Sequence, residues 1–133
     1  MRKLLLELDL YDALKEKIIS GMPVFGTCAG LILLADEVEA GVPCFGTMNI
    51  TAKRNAYGRQ LGSFHTDADF GELGEVPMTV IRAPYIAEAG EGVEVLAEVD
   101  GRIVAARQGR QLVTAFHPEL DGDMRIHEYF LNM

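Results

Sequence analysis

Met22-Pro23-Val24-Phe25-Gly26-Thr27-Cys28-Ala29-Gly30-Leu31-Ile32-Leu33-Leu34 is the stretch on which the fold turns. Its first half is a short apolar run that ends in glycine, and its second half resumes as an apolar helical segment read from Ala29 to Val38. This is strand, turn, helix. Between them Gly26-Thr27-Cys28-Ala29-Gly30 has the G-x-nucleophile-x-G form, in which small residues let the chain reverse sharply and expose the central side chain at the tip. A helix starting at Ala29 aims unpaired N–H groups at that tip, which favours a thiolate and lets the Ala29 N–H serve as an oxyanion donor. The bland alternative is a small buried thiol, the commonest fate of cysteine.

Working outward, residues 3 to 20 carry Leu4, Leu5, Leu8, Tyr11, Leu14, Ile18 and Ile19 at helical spacing and predict an amphipathic helix stopped by Gly21. Beyond Phe45 the texture turns to short β-rich segments around Thr47–Lys53, Gly62–Asp69, Met78–Arg82, Val93–Val99, Arg102–Arg107 and Gln111–Phe116. A closing helix is expected over Asp123–Met133. The pattern predicts one α/β domain over residues 1–133 with a central sheet. A parallel sheet is usually built from several βαβ units, and only one obvious strand precedes the turn, so the front of such a domain looks missing.

Composition narrows the chemistry. The chain has 133 residues, 12 Lys+Arg against 20 Asp+Glu and a formal charge of −8, which repels polyanions and argues against nucleic acid or an anionic membrane surface. No apolar stretch is of membrane-spanning length and no signal-peptide core is present, which predicts a cytoplasmic protein. Cys28 and Cys44 suit free thiols in a reducing compartment. The histidines and Cys44 lack zinc-ligand spacing, so no metal is expected.

A cysteine nucleophile needs a base, and the base needs a group that fixes its tautomer. His117-Pro118-Glu119, directly after the strand-like Leu112–Phe116, offers both at a strand end, although taken alone it could be a loop with a surface ion pair. His65 in an alternating segment and His127 beside Glu128 read as packing or solvent-facing residues.

Gly26-Thr27-Cys28-Ala29-Gly30 and His117-Pro118-Glu119 together resemble the class I glutamine amidotransferases. The surrounding wording is more specific: Pro23 to Ala35, Arg54-Asn55-Ala56-Tyr57-Gly58-Arg59-Gln60, Ile81-Arg82-Ala83-Pro84, Arg102 to Gln108 and Phe116 to Leu120 look like the glutaminase-subunit family of pyridoxal 5′-phosphate synthase. The resemblance runs through almost the whole chain. It implies a three-layer α/β domain with a central mixed, mostly parallel sheet whose first strands are missing here. It also implies hydrolysis of L-glutamine to glutamate and ammonia, ammonia transfer to a synthase subunit in a hetero-oligomer, and no cofactor. Cys28 would be the nucleophile, His117 the acid/base and Glu119 its orienting partner. Arg54, Ile81 and Arg82 would hold glutamine; without the resemblance the two arginines read as solvated strand-end charges. The family's second oxyanion donor comes from an upstream Gly-Gly loop, and none is found before Met22, so the 133-residue chain made alone is expected to have little glutaminase activity. Two further readings stay open: a docking or regulatory partner of the synthase that retains the motifs, and another γ-glutamyl cysteine hydrolase.

Overall fold

The computed structural model describes residues 10–39, 41–53, 63–81, 84–99 and 101–133. In chain order the elements are α1 (Tyr11–Ile19), β1 (Val24–Thr27), α2 (Ala29–Leu34), β2 (Ala35–Val38), β3 (Met48–Lys53), β4 (Ser63–Asp69), β5 (Glu75–Ile81), β6 (Tyr85–Ala89), β7 (Glu94–Val99), β8 (Arg102–Gln108), β9 (Gln111–Thr114) and α3 (Arg125–Leu131). One-turn 3₁₀ helices at Gly71–Leu73 and Pro118–Leu120 complete the set.

A curled seven-stranded sheet runs β1-β9-β8-β6-β3-β2, with β7 also pairing β8, and β4 and β5 form a separate antiparallel ribbon. The sheet is mixed, as the resemblance implies. Its mostly parallel character does not extend to the described ladders, where β1–β9 and β2–β3 are parallel and the other four pairings are antiparallel. Connection length accounts for two of these: β7 to β8 and β8 to β9 are joined by two residues each, and only an antiparallel partner can be reached that way.

The chain departs from the sequence reading at two elements. The helix expected over Ala29 to Val38 stops at Leu34, and Ala35–Val38 leaves it extended to pair in parallel with β3. Its ends, Ala35 and Val38, are buried and Asp36 and Glu37 are exposed, so the apolar run served a strand as well as a helix. Strand β6 was not expected, because Ala87, Glu88 and Ala89 favour helix; Ile86, almost fully buried, anchors it between Ala52 of β3 and Ile103 of β8. The closing helix forms over a shorter span than expected, and of the amino-terminal helix residues 1–9 lie outside the described ones.

The core is continuous across the sheet, with Leu31, Met48, Phe70, Met78, Ile86, Val104, Leu112, Val113 and Phe116 essentially free of solvent. Helix α1 docks through Ile18 and through Tyr11 stacked on Phe45 at 5.2 Å. Helix α3 docks through Phe130 and His127 against Phe25, at 5.4 and 5.9 Å between ring centres, and through Tyr129 against Phe70 at 5.7 Å. Adjacent strand residues point to opposite faces. Gly26 faces α2 and Phe25 faces α3, so helices lie on both sides of β1 and the architecture there is three-layered. Among the described residues no helix is long and apolar enough to cross a membrane.

Candidate active site

The turn after β1 is the strained point of the backbone. Cys28 has φ 53° and ψ −104°, and it is the one non-glycine residue with positive φ among those described. Such a conformation costs on the order of 1–3 kcal/mol and persists only where its surroundings hold it. Two contacts do so. The Cys28 N–H donates to the Thr114 carbonyl at 2.8 Å, which continues the β1–β9 ladder one residue past its last pair, Thr27 with Thr114. Gly26 lets α2 fold back over the strand: a Cβ there would stand 2.8 Å from the carbonyl carbon of Gly30 and 2.9 Å from its oxygen. Gly30 has no comparable duty, since a Cβ on it would meet nothing within 4 Å.

Because β1 and β9 are parallel neighbours, their carboxyl ends open on the same edge of the sheet. The resulting exit carries Cys28 from one strand and, three residues past the other, His117. Thr114 shapes it: its fully buried hydroxyl donates to the Phe116 carbonyl at 2.9 Å while its own carbonyl holds Cys28. The His117 N–H is tied at 2.9 Å to the carbonyl of Thr79 in β5, so the turn hangs between the main sheet and the ribbon.

His117 Nδ1 lies 2.7 Å from Glu119 Oε1. A carboxylate can only accept, so Nδ1 carries the proton, which leaves Nε2 as the basic nitrogen, with no hydrogen-bond partner among the described residues. The thiol itself departs from the sequence expectation. Burial pushes the Cys28 thiol above its ordinary value, the Ala29 N–H works against that rise, and the Glu119 carboxylate adds to it. The helix dipole was expected to favour thiolate, but α2 has six residues and its pull is smaller than the loss of water around a half-buried sulfur. The Glu119 carboxylate thus opposes thiolate formation at Cys28, and the Ala29 N–H favours it.

Other sequence candidates fare differently. Ile81 is the last residue of β5, two positions beyond Thr79, while Arg54 and Arg82 lie outside the described residues. His65 is exposed on β4, and His127 packs against Phe25, as their packing and solvent-facing readings required. Cys44 is buried, and its carbonyl accepts from the Tyr11 hydroxyl. Among the described residues no cluster of His, Cys, Asp and Glu is arranged to hold a metal ion. A groove of about 420 Å³ lined by Asp36, Asn49, Thr51, Glu88 and Val95 lies over β2, β3 and β6, the opposite end of the strand order from Cys28. Sequence reasoning passed over Thr114, Thr79 and Asp121, polar residues in apolar runs or loops that carry no motif.

A cysteine on a strand-to-helix elbow, beside a His–Glu turn at the next parallel strand, on a curled mixed sheet with helices on both sides, defines the class I glutamine amidotransferase architecture. A solved structure described as a glutamine amidotransferase superposes with a TM-score of 0.92 at 42% identity, over 98% of this chain and 71% of its own. A glutamine amidotransferase structure from Thermotoga maritima shares the fold, with a TM-score of 0.59 at 12% identity, over 84% of this chain and 46% of its own. The chain belongs to the SNO glutamine amidotransferase family, whose model matches residues 1–133. It is 59% identical over 131 residues to the pyridoxal 5′-phosphate synthase subunit PdxT of Desulfitobacterium hafniense (strain Y51), covering 98% of this chain and 66% of the relative. It is likewise 59% identical to the PdxT subunit of Methanocorpusculum labreanum, over 100% of this chain and 70% of the relative. The chain thus spans about two thirds of the length of the curated relatives it matches.

Proposed function

We propose that the chain carries the glutaminase centre of a pyridoxal 5′-phosphate synthase, hydrolysing L-glutamine to L-glutamate and ammonia through Cys28, His117 and Glu119 and passing the ammonia to a synthase subunit. The observation that carries this reading is the Cys28 N–H bonded to Thr114, which ties the strained nucleophile elbow to the strand that delivers His117 and its 2.7 Å contact with Glu119. Family membership and the PdxT relatives support the substrate and the partner.

The raised thiol requires a base at the moment of attack. His117 Nε2 takes the Cys28 proton as sulfur adds to the side-chain amide carbon of glutamine, and Glu119 stabilises the imidazolium. The tetrahedral oxyanion points to the Ala29 N–H, one of the two donors such an intermediate needs; losing one donor costs about 10²–10³ in turnover. His117 returns the proton to the leaving nitrogen, ammonia departs, and a γ-glutamyl thioester remains on Cys28. Water, deprotonated by His117, then releases glutamate and the thiol. Ile81, Arg82 and Arg54 hold the substrate, the arginines matching its α-carboxylate with their planar forks.

The test is glutamate release from L-glutamine and from γ-glutamyl peptides, by the chain alone and mixed with a synthase subunit, together with labelling by a thiol-reactive glutamine analogue. Stoichiometric labelling, and glutamine turnover that is slow in the chain alone, both abolished in Cys28→Ala, are expected. Labelling absent even with synthase present would leave a docking role, and preference for the peptides would leave another γ-glutamyl hydrolase; either overturns the proposal.

A further inference from the structure

One residue of the β4–β5 ribbon fastens the His117 turn at both ends. The Thr79 carbonyl accepts the His117 N–H at 2.9 Å, and the Thr79 hydroxyl donates to Asp121, 3.0 Å from Oδ1 and 3.2 Å from Oδ2. Between these anchors the 3₁₀ turn Pro118–Leu120 closes with the Asp121 N–H on the Pro118 carbonyl at 3.2 Å. Thr79 therefore grips the entry of the turn with its backbone and the exit with its side chain, and Glu119 sits midway.

The register of the ribbon assembles the grip. His65 faces Thr79 across the β4–β5 ladder, and with the hydroxyl proton given to Asp121, the Thr79 oxygen accepts from His65 Nδ1 at 3.2 Å. His65 Nδ1 also lies 3.5 Å from Asp121 Oδ1. The Asp121 side chain is 11% exposed, and a carboxylate covered to that degree needs polar partners; among the described side chains Thr79 and His65 supply them. By contrast the Glu119 side chain is 47% exposed, so packing does little to fix it and the path of the turn sets where its carboxylate stands.

We propose that Thr79 is a positioning residue for the reaction, acting through Asp121 to hold the His117-Pro118-Glu119 turn in line with Cys28. The proposal rests on the roles given above to Cys28 and His117. Its logic is geometric: a turn released at Asp121 lets Glu119 drift, His117 loses its orienting acceptor, and displacement of about 1 Å in a reacting group costs on the order of a hundredfold. The ribbon strand that carries Thr79 ends two residues later, at Ile81.

Thr79→Val keeps the shape and the backbone carbonyl and removes the hydroxyl; Thr79→Ser restores it; Asp121→Ala removes the acceptor and Asp121→Asn keeps one. Two readouts are taken on the 133-residue chain: amide hydrogen exchange at His117 and Asp121, and the rate of Cys28 labelling by the glutamine analogue as a function of its concentration. Thr79→Val and Asp121→Ala should each speed exchange of the amide at position 121 and lower the maximal labelling rate about 10- to 100-fold, with the half-saturating concentration within about twofold. Thr79→Ser and Asp121→Asn should match the parent, and Thr79→Val with Asp121→Ala together should lose no more than either alone, since both break one bond. Unchanged labelling and exchange in a folded Thr79→Val, failure of serine to rescue, or multiplicative losses in the double variant would overturn the clamp. If the parent is not labelled at all, the role of Cys28 falls, and parent-like Asp121 exchange in Thr79→Val then overturns the clamp independently. Should Thr79→Val not fold, Asp121→Ala against Asp121→Asn decides by the same two readouts.

Discussion

The two glycines that frame Cys28 look equivalent in the sequence, and alanine at each should have opposite effects. In Gly26→Ala the new Cβ would lie 2.8 Å from the Gly30 carbonyl carbon and 3.3 Å from its Cα. Carbon atoms pack best at about 3.5–4.0 Å, so the intrusion is about 0.7 Å, and it falls on helix backbone that no rotamer change can move. Overpacking of this kind costs about 1–3 kcal/mol, of which the reduced freedom of the unfolded chain returns about 0.4–1 kcal/mol. A net loss of about 1–2 kcal/mol lowers the melting temperature by about 3–8 °C in a chain of this size. Gly30→Ala places its Cβ in open space inside α2 and should gain up to about 1 kcal/mol. Thermal melts followed by far-ultraviolet circular dichroism measure both. A Gly26→Ala variant as stable as the parent, or a Gly30→Ala variant that loses more than it, would refute the account of how the elbow closes.

Other consequences concern the thiol and the core. Because burial and Glu119 raise the Cys28 thiol, its alkylation by iodoacetamide should climb through alkaline pH with no acid plateau, and Glu119→Gln, which removes the raising charge, should shift the profile to lower pH while abolishing most glutaminase turnover; a plateau below neutrality in the parent would contradict this. The same sign governs stability: an acid raised on folding stabilises the fold below the unfolded thiol value and loses that contribution as pH rises through the folded one. The melting-temperature difference between parent and Cys28→Ser should therefore change above the ordinary thiol range and stay constant below it. Phe70, fully buried and edge-on to both Phe116 and Tyr129, should cost about 3–5 kcal/mol when replaced by alanine, read as a loss of denaturant midpoint.

What the sequence made legible was local. Gly26-Thr27-Cys28-Ala29-Gly30 announced a strand, a sharp turn and a helix because small residues, an apolar run and helical spacing are all readable within a dozen positions. The contact between His117 and Glu119 was legible for the same reason, its two side chains standing two residues apart. Helix length was not: Leu31 to Val38 is apolar enough for either structure, and only the presence of β3 as a parallel partner decides that Ala35 leaves the helix. Strand β6 was hidden by helix-favouring alanines that long-range pairing overrides. The direction of the thiol's shift depends on how much water the fold removes, which no spacing encodes. Thr79 and Asp121 meet across 42 positions, with no periodic pattern linking them.

The central claim is that Cys28 attacks glutamine with His117 as its base, and the covalent intermediate tests it most directly. Protein mixed with isotopically labelled L-glutamine, quenched in acid and examined by peptide mass spectrometry should carry one γ-glutamyl group on the Cys28 peptide, absent in Cys28→Ala and much slower to form in His117→Asn. A chain that releases labelled glutamate with no adduct on Cys28, or that forms the adduct equally fast without His117, would contradict it.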